Sequence, residues 1–236
     1  MTDGIAWLAE PQSIAFGGYS VTLARGLDMG TLAARIAASV QWSKRTAVPV
    51  GELTGDGLAE VLDAEYGESW DGIGLRLGTS GGWTFAVAYG GWFGGLGGDL
   101  AVSEGGAEVF QVQYEEENGK PVPPTFHYCR DGSTVCSFNL HLDDSWGDGQ
   151  VKGDPEVAGR IAELLSAEGL PDEEQTHREV HRATLRVLER HFGLTLPQAL
   201  VLEAPRGGGG GGAGGGGGRP PPPPPGGPRA GGRGGA

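Results

Sequence analysis

Gly72-Ile73-Gly74-Leu75-Arg76-Leu77-Gly78-Thr79-Ser80-Gly81-Gly82-Trp83-Thr84-Phe85-Ala86-Val87-Ala88-Tyr89 is the stretch that decides the fold class. Two alternating apolar runs flank a glycine-rich centre, the pattern of a β-hairpin. A five-residue loop, Gly78–Gly82, sets Leu77 opposite Trp83, Leu75 opposite Phe85 and Ile73 opposite Val87. That register gathers the large side chains on one face, and one buried face is what specifies strand pairing. The same loop spells G-x-S-x-G, the string around the nucleophile of serine hydrolases. There the serine sits on a strand-to-helix turn. Here strand-like residues follow, so Ser80 is read as a loop residue.

Further hairpin signals surround this one. Asp131-Gly132 offers a two-residue turn. A three-residue loop of Arg130-Asp131-Gly132 instead puts Phe126, Tyr128, Cys136, Phe138 and Leu140 on one face, and burial favours it. Cys129 and Cys136 then point to opposite faces. Ile14–Ala24 and Val109–Tyr114 read as two more strands, with Tyr19, Val21 and Leu23 alternating in the first. Helix starts follow Asp28, Thr54 and Asp154-Pro155, a cap with proline at the first helical position. Leu32, Ile36 and Val40 recur at helical spacing, and Asp99–Ser103 reads as one helical turn. A longer helix is expected from Asp172 to Phe192, closed by Gly193, with Arg178, Arg182, Arg186 and Arg190 as a stripe. A short one, Leu196–Leu202, comes last. Strands precede most of the long helices. The expected class is therefore α+β, an antiparallel sheet of about six strands with helices packed on it.

Composition divides the chain into residues 1–205, one domain, and residues 206–236, a Gly/Pro/Arg tail expected to be disordered. The tail holds 17 Gly, seven Pro and four Arg, with no acid and no large apolar side chain. This low-complexity segment has nothing to bury. Pro220–Pro225 fits polyproline II, a shape that proline-reading modules bind, but no partner is assigned to the tail. Without the tail the body carries a net charge of −17. Such an acidic body repels phosphate backbones, so nucleic-acid binding by the body is not expected. No apolar run approaches a membrane span, and Met1–Pro11 lacks the pattern of a signal peptide. Two cysteines are too few for a disulfide framework, which leaves the cytoplasm as the expected compartment.

Several sets of chemistry-bearing residues invite a site. His127, Cys129, Cys136 and His141 offer zinc-binding types, but the hairpin register turns His127 and Cys129 away from Cys136. His177 and His181 stand one helical turn apart without the H-E-x-x-H arrangement. They are read as the edge of a packed face. Asp144-Ser145-Trp146-Gly147-Asp148-Gly149 fails as a calcium loop, because Trp146 and Pro155 fall where oxygen donors belong. No phosphate-binding glycine string occurs. The expectation is no catalytic residue, no metal and no cofactor. Tyr89-Gly90-Gly91-Trp92-Phe93-Gly94-Gly95 is the most unusual stretch, and aromatic anchors are enriched at interfaces. Trp83, Tyr89, Trp92 and Phe93 are accordingly the candidate binding residues.

Val21-Thr22-Leu23-Ala24-Arg25-Gly26-Leu27-Asp28 before an apolar helix resembles the opening of an actinobacterial domain-of-unknown-function family. Trp7-Leu8, Gly82-Trp83-Thr84-Phe85 with Gly91-Trp92, Arg130-Asp131-Gly132 and Gly153-Asp154-Pro155-Glu156 extend the resemblance over residues 5–203. It also implies an acidic residue between the Trp and Gly-Trp motifs, a position this chain fills with Ala88. The family carries no assigned activity, so the resemblance bears on architecture. The resulting expectation is a non-catalytic protein-interaction module. The alternative is a hydrolase-like enzyme using carboxylates brought together by folding.

Overall fold

The computed structural model describes residues 4–14, 18–39, 49–66, 73–89, 99–116, 122–144, 149–172 and 174–203. Met1–Pro205 is one compact unit, and residues 206–236 lie outside the described part. The strands are β1 (Gly18–Arg25), β2 (Gly74–Ser80), β3 (Trp83–Tyr89), β4 (Glu108–Glu115), β5 (Thr125–Arg130), β6 (Ser133–Asn139) and β7 (Lys152–Gly153). They form one seven-stranded sheet in the order β2-β3-β1-β4-β5-β6-β7, every pair antiparallel. Six α-helices accompany it among the described residues: α1 (Met29–Ser39), α2 (Gly55–Tyr66), α3 (Asp99–Val102), α4 (Pro155–Ala167), α5 (His177–Phe192) and α6 (Gln198–Leu202). The α+β class expected from the sequence is the class observed.

The deciding hairpin closes differently from the expectation. Its loop is two residues, Gly81-Gly82, and Ser80 pairs with Trp83. Both glycines have positive φ, 57° and 85°, as a tight hairpin turn of matching twist requires. Leu75 and Leu77 therefore stand opposite Ala88 and Ala86, while Gly78 stands opposite Phe85. The Phe85 ring lies where a β-carbon on Gly78 would be. The physical reason is that both faces of the sheet are covered, so the large side chains need not share one. Trp83, Phe85, Val87 and Tyr89 join the main core, and Ala86 and Ala88 join a second one with Leu32, Ile36, Val102 and Val109.

The second hairpin reaches the expected face by another device. Its turn is also two residues, Asp131-Gly132, and a bulge shifts the register between Tyr128 and Cys129. Tyr128 then pairs with Cys136 and Phe126 with Phe138, and all four lie in the main core. Both cysteines are buried and no disulfide joins them.

Local signals set most helix ends. Asp28 accepts from Thr31 N at 2.8 Å, Thr54 from Gly57 N at 3.0 Å, and Asp154 from Glu156 and Val157 N. Helix α5 starts five residues later than Asp172 suggested. Thr176 and Glu179 cap it reciprocally, satisfying two terminal N–H groups at once. Gly193 ends it in the left-handed conformation. Val180, Leu185, Val187 and Leu188 of α5 face the sheet. At the centre the Phe110 ring stacks on Tyr128 at 4.3 Å and meets Phe192 at 4.7 Å. Val40 of the expected α1 pattern lies outside the described residues.

Candidate functional site

The chain N-terminal to β1 is tied down on α5. Glu189 accepts from Ile5 N at 2.7 Å and Ala6 N at 3.0 Å, and Trp7 Nε1 donates to Leu196 O at 2.8 Å. Ala9 and Glu10 thereby become one wall of a cleft. Tyr114 and Glu116, at the end of β4, supply another, beside Val122.

A third wall is the loop that follows β6. Asn139 is fully buried, and its Nδ2 donates to Asp143 O at 2.7 Å while its Oδ1 accepts from Asp143 N at 3.3 Å. Between them Leu142 takes a φ of 56°, a region that non-glycine residues seldom occupy. The loop held in this way brings His141 and Asp143 to the cleft. The start of α5 completes it with His177, Arg178 and His181. The cleft is open to solvent on one side and has a volume of about 400 Å³, within the range of small-ligand sites.

The polar groups are close together. His177 Nε2 is 3.5 Å and His141 Nδ1 4.0 Å from Asp143 Oδ2. The His141 and His177 rings stack with centroids 4.6 Å apart. Tyr114 lies edge-on to both His141 and His181. Behind them the buried His181 shares a 2.7 Å hydrogen bond through Nε2 with the hydroxyl of Tyr19.

Burial governs the charge states. It pushes His181 down to about 3, with the neighbouring His141 and Arg182 adding to the effect. It pushes His141 down to about 4, His177 assisting and Asp143 opposing. Both rings are thus neutral near pH 7 and keep a lone pair to offer. Burial also raises the Tyr19 hydroxyl well above its usual value. Two carboxylates of the cleft are matched by arginines of the expected stripe. Arg182 reaches Glu10 at 2.6 Å, and Arg178 lies 4.0 Å from Glu116.

Of the sequence-derived candidates, the two that are described, Trp83 and Tyr89, fall elsewhere. Trp83 is interior: its Nε1 donates to Gly193 O at 2.7 Å, and Arg25 covers its ring at 4.0 Å. Tyr89 is interior too, packed so closely under the start of α2 that Gly55 has no room for a β-carbon. Trp92 and Phe93 lie outside the described residues, so a contact surface drawn from this set depends on those two. Ser80 ends β2 beside a tight turn, far from the strand-to-helix geometry of a nucleophile. Residues 145–148 of the Asp144–Gly149 stretch are likewise outside the described part.

Sequence reasoning considered His141 with the cysteines and His177 with His181. Folding instead joins His141, Asp143 and His177, whose ligand atoms all lie within 4.8 Å of one another. The one local signal was His141-x-Asp143 just beyond a strand.

A family model, "Family of unknown function (DUF6461)", matches residues 2–204, and the chain belongs to that family. No curated protein and no solved structure matches it.

Proposed function

We propose, for this member of a family of unknown function, a binding role centred on the histidine-lined cleft, with a small polar ligand as occupant. The observation that carries the reading is the convergence of His141, Asp143, His177 and His181 from two separate segments on one cavity. Ligand sites are typically concave, partly apolar and furnished with a few convergent polar groups. Ala9, Val122 and the Tyr114 ring give the apolar part here. The pairing of Glu10 and Glu116 with arginines weighs against a carboxylate-pair hydrolase. Both thiols are buried and unbridged, in keeping with a cytoplasmic setting. Among the described residues no helix is long and apolar enough to cross a membrane.

The test is capture of the full chain from native lysate followed by mass spectrometry of retained small molecules. A ligand held by the wild type should fall at least about tenfold in Val122→Trp, which fills the cavity. Equal retention by that variant overturns the reading.

A protein-interaction role is the second reading. It is favoured by the two aromatic residues Trp92 and Phe93 set between glycine pairs. Loss of a co-purifying protein in Trp92→Ala/Phe93→Ala supports it, and an unchanged set of partners removes it.

A further inference from the structure

We propose that His141, Asp143 and His177 form a binding site for a divalent transition-metal ion of the zinc class, open toward the cleft. The proposal rests on the cleft reading for its location, and it assigns the chemistry of one occupant.

The geometry comes first. Ligand atoms within 4.8 Å of one another admit a point about 2.8 Å from all three, against bonds of about 2.0–2.2 Å to zinc. Closing that gap takes a shift of about 0.6–0.8 Å at each ligand atom. His177 is free to make it, with a side chain 70 % exposed. His141 is the anchored ligand, flanked by Tyr114 and His181 in edge-on contact and held on the loop that Asn139 fixes. An imidazole nitrogen donates in the plane of its ring, so the ion's place is at the edges of the two stacked rings, on the side where Asp143 Oδ2 approaches both.

The donor set selects the ion. Two imidazole nitrogens and one carboxylate oxygen suit zinc, cobalt, nickel or ferrous iron, whereas calcium and magnesium favour oxygen throughout. Arg178 also lines the cleft, and its guanidinium lies toward Glu116. Behind His141 the buried His181 ring stands edge-on at 5.9 Å and is itself held by its hydrogen bond to the Tyr19 hydroxyl. Three protein ligands leave at least one position for water or for a donor atom of a bound molecule.

The experiment uses the metal-free full chain titrated with Zn²⁺ in equilibrium dialysis, followed by Co²⁺ for its visible spectrum. The expected result is one zinc per chain, and a cobalt spectrum of low-symmetry, mixed nitrogen–oxygen coordination. His177→Ala and Asp143→Asn should each weaken zinc at least about tenfold, with folding unchanged because both side chains are partly exposed. His191→Ala, on an exposed part of α5, is the control and should bind as the wild type does. Absence of stoichiometric zinc binding overturns the proposal, as does affinity that survives His177→Ala. The cleft reading fails separately, by equal ligand retention in Val122→Trp. Zinc failing while a Val122→Trp-sensitive ligand remains would remove the metal and leave the cleft.

Discussion

Asn139 is the residue on which the His141–Asp143 loop depends. It has no exposure, and one amide serves both the N–H and the C=O of Asp143. Asn139→Ala leaves those groups without their partner and opens a polar void, so a loss of about 1–3 kcal/mol is expected in urea unfolding. It should also weaken zinc, although Asn139 is no ligand. Asn139→Asp would keep only the accepting half and should fall between. Cys136 makes a different kind of prediction. Burial, with Cys129 nearby, pushes its thiol up to about 12. The native thiol holds its proton while the unfolded one ionises near its usual value. Stability from this group is therefore intact at neutral pH and declines as pH rises above the ordinary thiol range. Iodoacetamide at pH 8 should modify neither cysteine in the native chain and both after unfolding, read by intact mass. Modification of Cys136 in the folded state would show that its burial is not maintained in solution.

At the level of elements, what was legible in the sequence was whatever one turn of chain decides. Asp28, Thr54 and the Asp154-Pro155 pair each mark a helix start because a cap is satisfied within three residues. Helix α5 shows the limit of that rule. Asp172 and Thr176 are both capping types, and Thr176 wins because Glu179 completes the reciprocal pair. The hairpin registers were harder, since alternation fixes register only when one face alone is buried. Here β3 is buried along its whole length on both faces, so two registers satisfy the same apolar pattern. The glycine pair decides between them. Gly82 has open space around its missing β-carbon, so Gly82→Ala tests backbone strain alone and should cost about 1–2 kcal/mol. Gly81→Ala should cost more, because its β-carbon also runs into Thr195. Equal losses in thermal unfolding would mean that the Thr195 contact yields freely.

On the scale of the whole molecule, the site was hidden because its parts are distant in sequence. His141 and Asp143 belong to the loop after β6, His177 begins α5, and Glu10 precedes β1. Only the packing of α5 across the sheet, with the N-terminal segment clasped against it, brings them to one cavity. Glu189 is the clasp. Its carboxylate takes the N–H groups of Ile5 and Ala6 from 184 and 183 residues away. Charge-assisted bonds of this kind are among the stronger ones, and breaking them strands two backbone donors. Glu189→Ala should therefore cost about 2–3 kcal/mol. The loss should be uneven: hydrogen exchange ought to quicken at residues 5–9 while the β1–β4 ladder stays protected. Ala9 and Glu10 would then no longer hold their wall of the cleft, so retention of a cleft ligand should fall with them. Zinc should respond less than it does to His177→Ala, because none of its ligands lies on that wall. If exchange at residues 5–9 stayed slow in Glu189→Ala, Trp7 and its bond to Leu196 would be the true anchor. Trp7→Phe, which removes that donor and keeps the ring, should then release the segment instead.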